Sequence, residues 1–379
     1  MKQFIYADHA ATTKLDPDAF EAMKPFLLDE YGNASQSYAF ARKPRKALQE
    51  ARAIIAQCIN ADPEEIFFTS GGTESDNWAI KGVALAASEK HTILTSPIEH
   101  HAVLRACEDV NGLGYPVVYL PVTREGVVPP KVLEAAMNPE VRLVSVMLAN
   151  NEIGTVEPIQ ALCEVAHQKG ALFHTDAVQA VGHMAVDVRA LGVDLLSASA
   201  HKFNGPKGIG FLYVKKGTRI ASYASGGAQE SGMRAGTENI ASIVGMAVAL
   251  QKNCTTLAEN TEHLKRLEAQ LLEQLGASGL DFLRNGGAEH LPGSVSLSFR
   301  HADGEALLHR LDLKGICVST GAACNAGHTQ FSHVLQAIGL HESYAGGTIR
   351  VSFGKQNSID DARAIANALC DILKKPLVT

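Results

Sequence analysis

The chain contains no Cys-x-x-Cys pair: its seven cysteines stand singly at positions 58, 107, 163, 254, 317, 324 and 370. A chain of 379 residues is too large to need disulfide staples, so an odd set of isolated cysteines reads as reduced thiols in a cytoplasmic protein. Long apolar runs are missing too. No segment approaches the ~18 unbroken apolar residues of a membrane span, and Met1 to His9 carries an acid and no apolar core, so neither membrane insertion nor secretion is expected. Runs of one charge sign are also lacking. The 34 Lys+Arg and 40 Asp+Glu residues leave a net charge of −6, which excludes a broad electrostatic attraction to nucleic acid. Internal repeats, low-complexity segments and Pro-rich linkers do not occur. What remains, 46% apolar and 20% charged residues, excludes disorder and coiled coil and leaves room for two packed domains.

From about residue 45 to 215 short apolar runs alternate with longer segments of helical period, the pattern of βαβ units in a parallel sheet. Ile66-Phe67-Phe68-Thr69, Thr92 to Thr95, Val117 to Leu120, Leu143 to Leu148, Ala171 to Thr175 and Leu195 to Ser197 read as strands. Residues 45–60 and 159–169 read as amphipathic helices. After the Gly-rich stretch Ser225 to Ala228, Leu257, Leu264, Leu267, Leu271 and Leu275 mark a long amphipathic helix. The tail reads as a small α+β unit, with strands at 295–299, 316–318 and 348–353 and helices around 304–312 and 359–373. The cleft between the two parts is the expected site.

Four segments carry chemistry. Thr69 to Asn77 ends a strand in two glycines and a hydroxyl residue before a helix, which reads either as an oxyanion cradle or as a turn with Thr73 as N-cap. In Phe173 to Gln179, Asp176 sits at the carboxyl edge of the sheet, where ligands of open α/β sheets bind; it suits a proton on a heteroaromatic nitrogen, or a helix cap. Lys202 follows a strand directly, flanked by Ser199 and His201, a setting that lowers an amine's pKa and makes it nucleophilic. Lysine, carboxylate and anion cradle together are what pyridoxal phosphate needs. Val318 to His328 has neither helical nor strand period and reads as a mobile loop that exposes Cys324, whereas Cys58, Cys163, Cys317 and Cys370 read as packing residues. A loop thiol ionises readily beside a cation such as His100.

These residues together resemble the cysteine desulfurases of the NifS/IscS type, in the class V aminotransferase family. The likeness runs nearly end to end through Asp8-His9-Ala10-Ala11-Thr12-Thr13, Tyr31-Gly32-Asn33, Thr69 to Asn77, Glu99-His100, Asn150-Asn151-Glu152-Ile153-Gly154, Asp176 to Gln179, Ser199-Ala200-His201-Lys202, Met233 to Thr237, Cys324 and Thr348-Ile349-Arg350. It implies an α/β chain of the pyridoxal-phosphate transferase fold type I: a large cofactor-binding domain over 14–256 with a mainly parallel seven-stranded sheet, and a small domain from 1–13 and 257–379 that carries the cysteine loop at about 321–332.

The resemblance also implies roles. Lys202 links covalently to the cofactor and acts as base, Asp176 pairs with the ring nitrogen, Gln179 bonds the phenolic oxygen, and His100 stacks on the ring and moves protons. Gly72, Thr73, Ser199 and His201 hold the phosphate, with Thr237 from the other subunit of a homodimer. Arg350 holds the substrate carboxylate with Asn33 and Asn151. Cys324 takes sulfur from L-cysteine as a persulfide, with L-alanine as product, and passes it to an acceptor protein for iron–sulfur clusters, thiolated tRNA or another thio-cofactor. No intrinsic metal is implied, although Cys324 is a candidate transient cluster ligand. Three departures stand out: Ala34 replaces a proline frequent after Gly-Asn, Ala200 replaces a glycine before His-Lys, and Asn325 to Ser332 differs from the common run after the cysteine. The last leaves the acceptor open. Competing readings are a selenocysteine or C–S β-lyase on the same fold, and a sulfur-trafficking scaffold without catalysis.

Overall fold

The computed structural model describes residues 4–86, 91–320 and 332–374. Its strands, in chain order, are β1 (Ile5–Tyr6), β2 (Ile66–Thr69), β3 (Thr92–Thr95), β4 (Val117–Tyr119), β5 (Val141–Ser145), β6 (Leu172–Asp176), β7 (Leu195–Ser199), β8 (Gly210–Val214), β9 (Phe282–Asn285), β10 (Ser294–Phe299), β11 (Ile316–Cys317) and β12 (Thr348–Ser352). Seven of them form one sheet in the order β2-β8-β7-β6-β5-β3-β4. Neighbours from β7 through β4 run parallel, and β8 runs antiparallel to both β2 and β7. All five residues of β7 and of β8 are buried, as expected of central strands covered by helices on both faces.

Six of these strands follow the expected apolar runs. β8 was not foreseen as a strand, because its Phe-Leu-Tyr-Val run starts directly from the glycine turns after Lys202 and has no loop of its own to mark a boundary. The stretch 143–148 is regular strand only to Ser145, yet it continues along β6: Val146 N donates to His174 O at 3.1 Å and Leu148 N to Asp176 O at 2.9 Å. The expected helices are observed as Arg42–Cys58 and Ile159–Gln168, and the former turns Ala51, Ile55 and Ala56 into the core.

A second, three-stranded antiparallel sheet has the order β12-β10-β9, and β1 pairs in parallel with β11. The expected leucine stripe is the buried face of the helix Leu257–Gly276: Leu264, Leu267, Leu271 and Leu275 are all buried. Each such leucine stabilises by about 1.5–3 kcal/mol. They join Val295, Leu297, Ile349, Val351, Ile365 and Leu369 in an apolar cluster that also takes in Ala7. Ile5 and Ala7 thereby pack with this C-terminal cluster.

The described cysteines behave as packing groups. Cys107 and Cys163 are buried, and burial pushes both thiols up to about 12; Cys58, Cys254, Cys317 and Cys370 are half-buried. Cys324 lies outside the described residues.

Candidate active site

Strand order places the chemistry at one edge of the large sheet. Asp176 is the last residue of β6 and Ser199 the last of the adjacent β7, so their chain ends lie side by side before Lys202 follows in a short 3-10 turn, Ala200–Lys202. Asp176 caps no helix. Its Oδ1 accepts from Val178 N at 2.9 Å, which closes a turn and holds the carboxyl at the strand end. Burial pushes this carboxyl above the usual range, and the nearby His100 and Lys202 draw it back toward ionisation.

The amine of Lys202 meets the N-terminal segment, where Nζ donates to Ala10 O at 2.6 Å and Ala11 O at 2.8 Å. Gln179 Nε2 donates to the same Ala10 carbonyl at 2.9 Å. That segment is itself fixed: Tyr6 hydroxyl reaches Asp8 O and Thr12 O at 3.0 and 2.8 Å, and Thr13 binds the carbonyl of His201 through both its N–H and its hydroxyl. His201 Nδ1 lies 3.1 Å from Thr12 Oγ1, and burial together with the Lys202 and Lys207 charges lowers the ring to about 4. The imidazole is therefore neutral near pH 7. The carbonyl of Lys202 accepts from His183 Nε2 at 2.8 Å, which anchors the turn from behind.

His100 precedes the helix His101–Gly112 and caps it, with Nδ1 accepting from Ala102 N at 3.1 Å. A nitrogen that accepts from a backbone N–H carries no proton, so the neutral ring holds its proton on Nε2. Burial lowers its pKa; Asp176 opposes that shift, while Lys202 and His101 add to it.

The glycine turn after β2 is a close-packed cradle. Gly71 sits at φ 150°, a conformation that side chains rarely adopt, and is the N-cap of the helix Gly72–Leu85. A Cβ on Gly72 would lie 2.6 Å from Val178 Cγ2 and 3.6 Å from Ser199 Cβ. The helix start thus presses against the ends of β6 and β7, and Thr73 lies exposed in its first turn rather than capping it. A primary amine, a buried carboxylate, an amide and a glycine-opened helix start meet in one place, and this donor set fits pyridoxal phosphate.

Arg350, from β12, is 6% exposed and reaches the turn around Asn151 that follows β5. Nη1 donates to Asn151 O at 2.7 Å and Nη2 to Asp8 Oδ1 at 2.7 Å, while the buried Nε has no partner among the described residues. Asn150 shapes the acceptor loop: its Oδ1 takes the N–H groups of Glu152 and Ile153, and its Nδ2 donates to Ile98 O at 2.8 Å. Beside it Glu152 accepts from the Ser332 hydroxyl, and burial pushes its carboxyl up to about 7.

The structure thus gathers Lys202, Asp176, Gln179, His100, His201, Ser199 and Gly72, and it joins Arg350 to Asn151 through the backbone of the latter. Asn33 is not seen to join them: its Oδ1 accepts from Ser35 N at 2.9 Å, within its own loop. Thr237 lines a separate cavity of about 220 Å³ with Thr69, Ser70, Gly208, Arg234 and Asn239. Sequence reasoning assigned nothing to Asp8 or to the Ala10 and Ala11 carbonyls, although both stand in a motif it singled out; a backbone acceptor leaves no residue-type signal.

A family model for class-V aminotransferases matches residues 5–365. The chain is 47% identical over 377 residues to the cysteine desulfurase IscS of Dictyoglomus turgidum, covering 99% of this chain and 96% of that one. It is 42% identical to the cysteine desulfurase IscS of Methanosarcina thermophila, with 98% and 92% covered. A solved NifS-like protein superposes with a TM-score of 0.92 at 36% identity, covering 98% of this chain and 99% of that one. A solved structure of SspA in complex with cysteine gives 0.82 at 35% identity, over 93% and 100%. With family match, relatives and fold in agreement over nearly its whole length, the chain belongs to the class-V aminotransferase family, among its cysteine desulfurases of the NifS/IscS type.

Proposed function

We propose that the protein takes sulfur from L-cysteine with pyridoxal phosphate as cofactor, releases L-alanine, and keeps the sulfur as a persulfide on Cys324. The observation that carries this is the convergence of Lys202, Asp176 and Gln179 at the ends of β6 and β7 beside the Gly71–Gly72 turn, with Arg350 facing the same N-terminal segment. When bound, the cofactor supplies an electron sink for the carbon that loses its proton. Lys202 binds it and then acts as base. Asp176 holds a proton at the ring nitrogen, Gln179 bonds the phenolic oxygen, and Gly72, Thr73, Ser199 and His201 cradle the phosphate. His100, with its proton on Nε2, serves as donor over the ring.

Arg350 orients the substrate carboxylate with Asn151 and Asn33. The Cys324 thiolate attacks the substrate's sulfur; the C–S bond breaks, the new S–S bond stays on the protein, and the substrate carbon gains a proton and leaves in L-alanine. A protein acceptor then receives the sulfur for cluster assembly, tRNA thiolation or another thio-cofactor. A cytoplasmic homodimer is part of this reading, with Thr237 completing the partner's phosphate site. Its support is that Thr237 lines a cavity with Thr69 and Ser70, next to the glycine turn, and that Leu27, Leu28, Tyr31, Tyr38 and Phe40 are exposed. Residues 14–256 form the cofactor-binding domain, and 1–13 with 257–379 the small one, in keeping with the apolar cluster that joins Ala7 to the C-terminal third.

The test is Cys324→Ala. Sulfur release from L-cysteine should vanish while the visible absorption of bound cofactor stays unchanged; undiminished turnover would instead favour a β-lyase that needs no persulfide. A wild-type protein that takes up no pyridoxal phosphate would favour the scaffold reading.

A further inference from the structure

Behind Asp176 lies a second buried carboxyl that the proposed reaction leaves unused. Asp76 belongs to the helix Gly72–Leu85 and is 1% exposed. Strand register assembles its surroundings. Asp176 of β6 is directly opposite Ser197 of β7, and His174, two residues earlier on β6, points to the same face of the sheet. His174 is bonded on both nitrogens, Nδ1 with Ser145 Oγ at 2.8 Å and Nε2 with Ser197 Oγ at 3.0 Å. Asp76 Oδ1 stands 3.7 Å from His174 Nε2, beyond hydrogen-bonding distance, and has no partner among the described residues.

An ionised carboxylate with a bare oxygen in full burial is costly, and two placements of one proton remove that cost. One puts it on His174, making an ion pair; the other puts it on Asp76. His174 is fully buried, and burial lowers its pKa to about 3, so the ring stays neutral between its two serines. For Asp76, burial and then the neighbouring Asp176 push the carboxyl well up; Glu99 adds to this, and the Ser197 contact opposes it. Two carboxyls in one desolvated space do not both ionise. Asp176 has the better claim to the charge, because it accepts the Val178 N–H and faces His100 and Lys202. Glu99, the third buried carboxyl nearby, has Ser96 and the Met147 N–H on one oxygen and none on the other among the described residues, and burial pushes it well up too, so it does not compete with Asp176 for the charge.

We propose that Asp76 and Asp176 share a single negative charge, with the proton resident on Asp76, which leaves Asp176 as the ionised member of the pair toward the cofactor's ring nitrogen. The cofactor half of this inference rests on the pyridoxal phosphate reading; the carboxyl pair rests on this chain alone.

The test is infrared difference spectroscopy on the full chain as purified, with aspartate ¹³C-labelled in wild type and variants alike so that aspartate carboxyls alone report. At neutral pH the label should shift a protonated-carboxyl C=O band, and that band should be missing from Asp76→Asn. In Asp176→Asn, with the neighbouring charge removed, the same band should titrate at lower pH. Pyridoxal phosphate affinity of Asp76→Asn should stay within about threefold of wild type, because a neutral amide replaces a neutral acid, whereas Asp176→Asn should weaken it by about 100-fold. Only ionised aspartate bands in wild type, or an Asp76→Asn loss as large as that of Asp176→Asn, would overturn the shared charge. Wild-type protein that shows the band but binds no pyridoxal phosphate would overturn the cofactor role and leave the carboxyl pair standing.

Discussion

Asp8 and Arg350 form an ion pair: Nη2 donates to Asp8 Oδ1 at 2.7 Å, Nη1 serves the Asn151 carbonyl, and the buried Nε is without a partner among the described residues. The Asp8 carboxylate thus fixes the plane of the guanidinium, the plane in which, on the proposed reading, an incoming carboxylate would meet the arginine. Two substitutions separate these roles. Arg350→Lys keeps a charge but loses the planar fork, so KM for L-cysteine should rise by about 10- to 100-fold with a smaller change in kcat. Asp8→Asn strands a mostly buried cation and should lower stability by about 2–3 kcal/mol in urea unfolding. Equal effects of Arg350→Lys on the KM for cysteine and on the urea midpoint would point to a purely structural arginine.

The cradle makes a sharper demand on size. A methyl at position 72 would lie 2.6 Å from Val178 Cγ2, and Val178 follows Asp176 by two residues. Gly72→Ala should therefore cost about 1–3 kcal/mol of stability and displace the turn that holds Asp176. Equilibrium titration with pyridoxal phosphate should show affinity lower by about tenfold or more; an unchanged affinity would remove the glycine turn from the cofactor site.

How much of this was legible in the sequence depended on whether a residue acts through its own side chain. Lys202, Asp176 and Gln179 follow apolar runs directly, so the strand pattern alone put them at the sheet edge. β8 stayed hidden because it begins in a glycine turn, and the end of β5 was misplaced because residues 146–148 keep bonding to β6 after regular geometry stops. The carbonyls of Ala10 and Ala11 had no signal at all, since any residue supplies a carbonyl. Asp76 and Glu152 stand within motifs visible in the sequence, but their burial and partners follow from helix facing and loop docking, which spacing does not encode.

Glu230 holds the chain that leads to Thr237 in an unfavourable conformation. Its backbone sits at φ 45° and ψ 47°, while its carboxylate takes two bonds from Arg52, at 2.6 and 2.8 Å, and one from Phe68 N at 2.9 Å. Arg52 in turn lies over the Phe68 ring, 4.4 Å from its centre. Glu230→Ala removes the anion and leaves a largely buried guanidinium, so urea unfolding should show a loss of about 2–4 kcal/mol. Arg52→Met in the same background should then cost far less than it does in wild type, because the shared interaction is already gone.

Glu157 makes stability depend on pH in a direction opposite to most carboxylates. Its Oε2 accepts the Val128 N–H at 2.9 Å, its Oε1 is buried without a partner among the described residues, and burial pushes the carboxyl up to about 8. The folded protein therefore holds this proton at pH values where the unfolded chain, with an ordinary glutamate near 4.3, has released it. The stabilisation is complete below about pH 4 and is lost as pH rises toward 8, by a few kcal/mol in all. Glu157→Gln keeps the acceptor for Val128 but cannot titrate. Histidines 9 and 201, which are lowered to about 4, add a slope of the opposite sign to both proteins, so the difference between them cancels it. Urea midpoints measured at intervals from pH 5 to pH 8 should show the glutamine variant gaining steadily on wild type; a difference that stays flat would mean that Glu157 ionises in the folded state as it does in water.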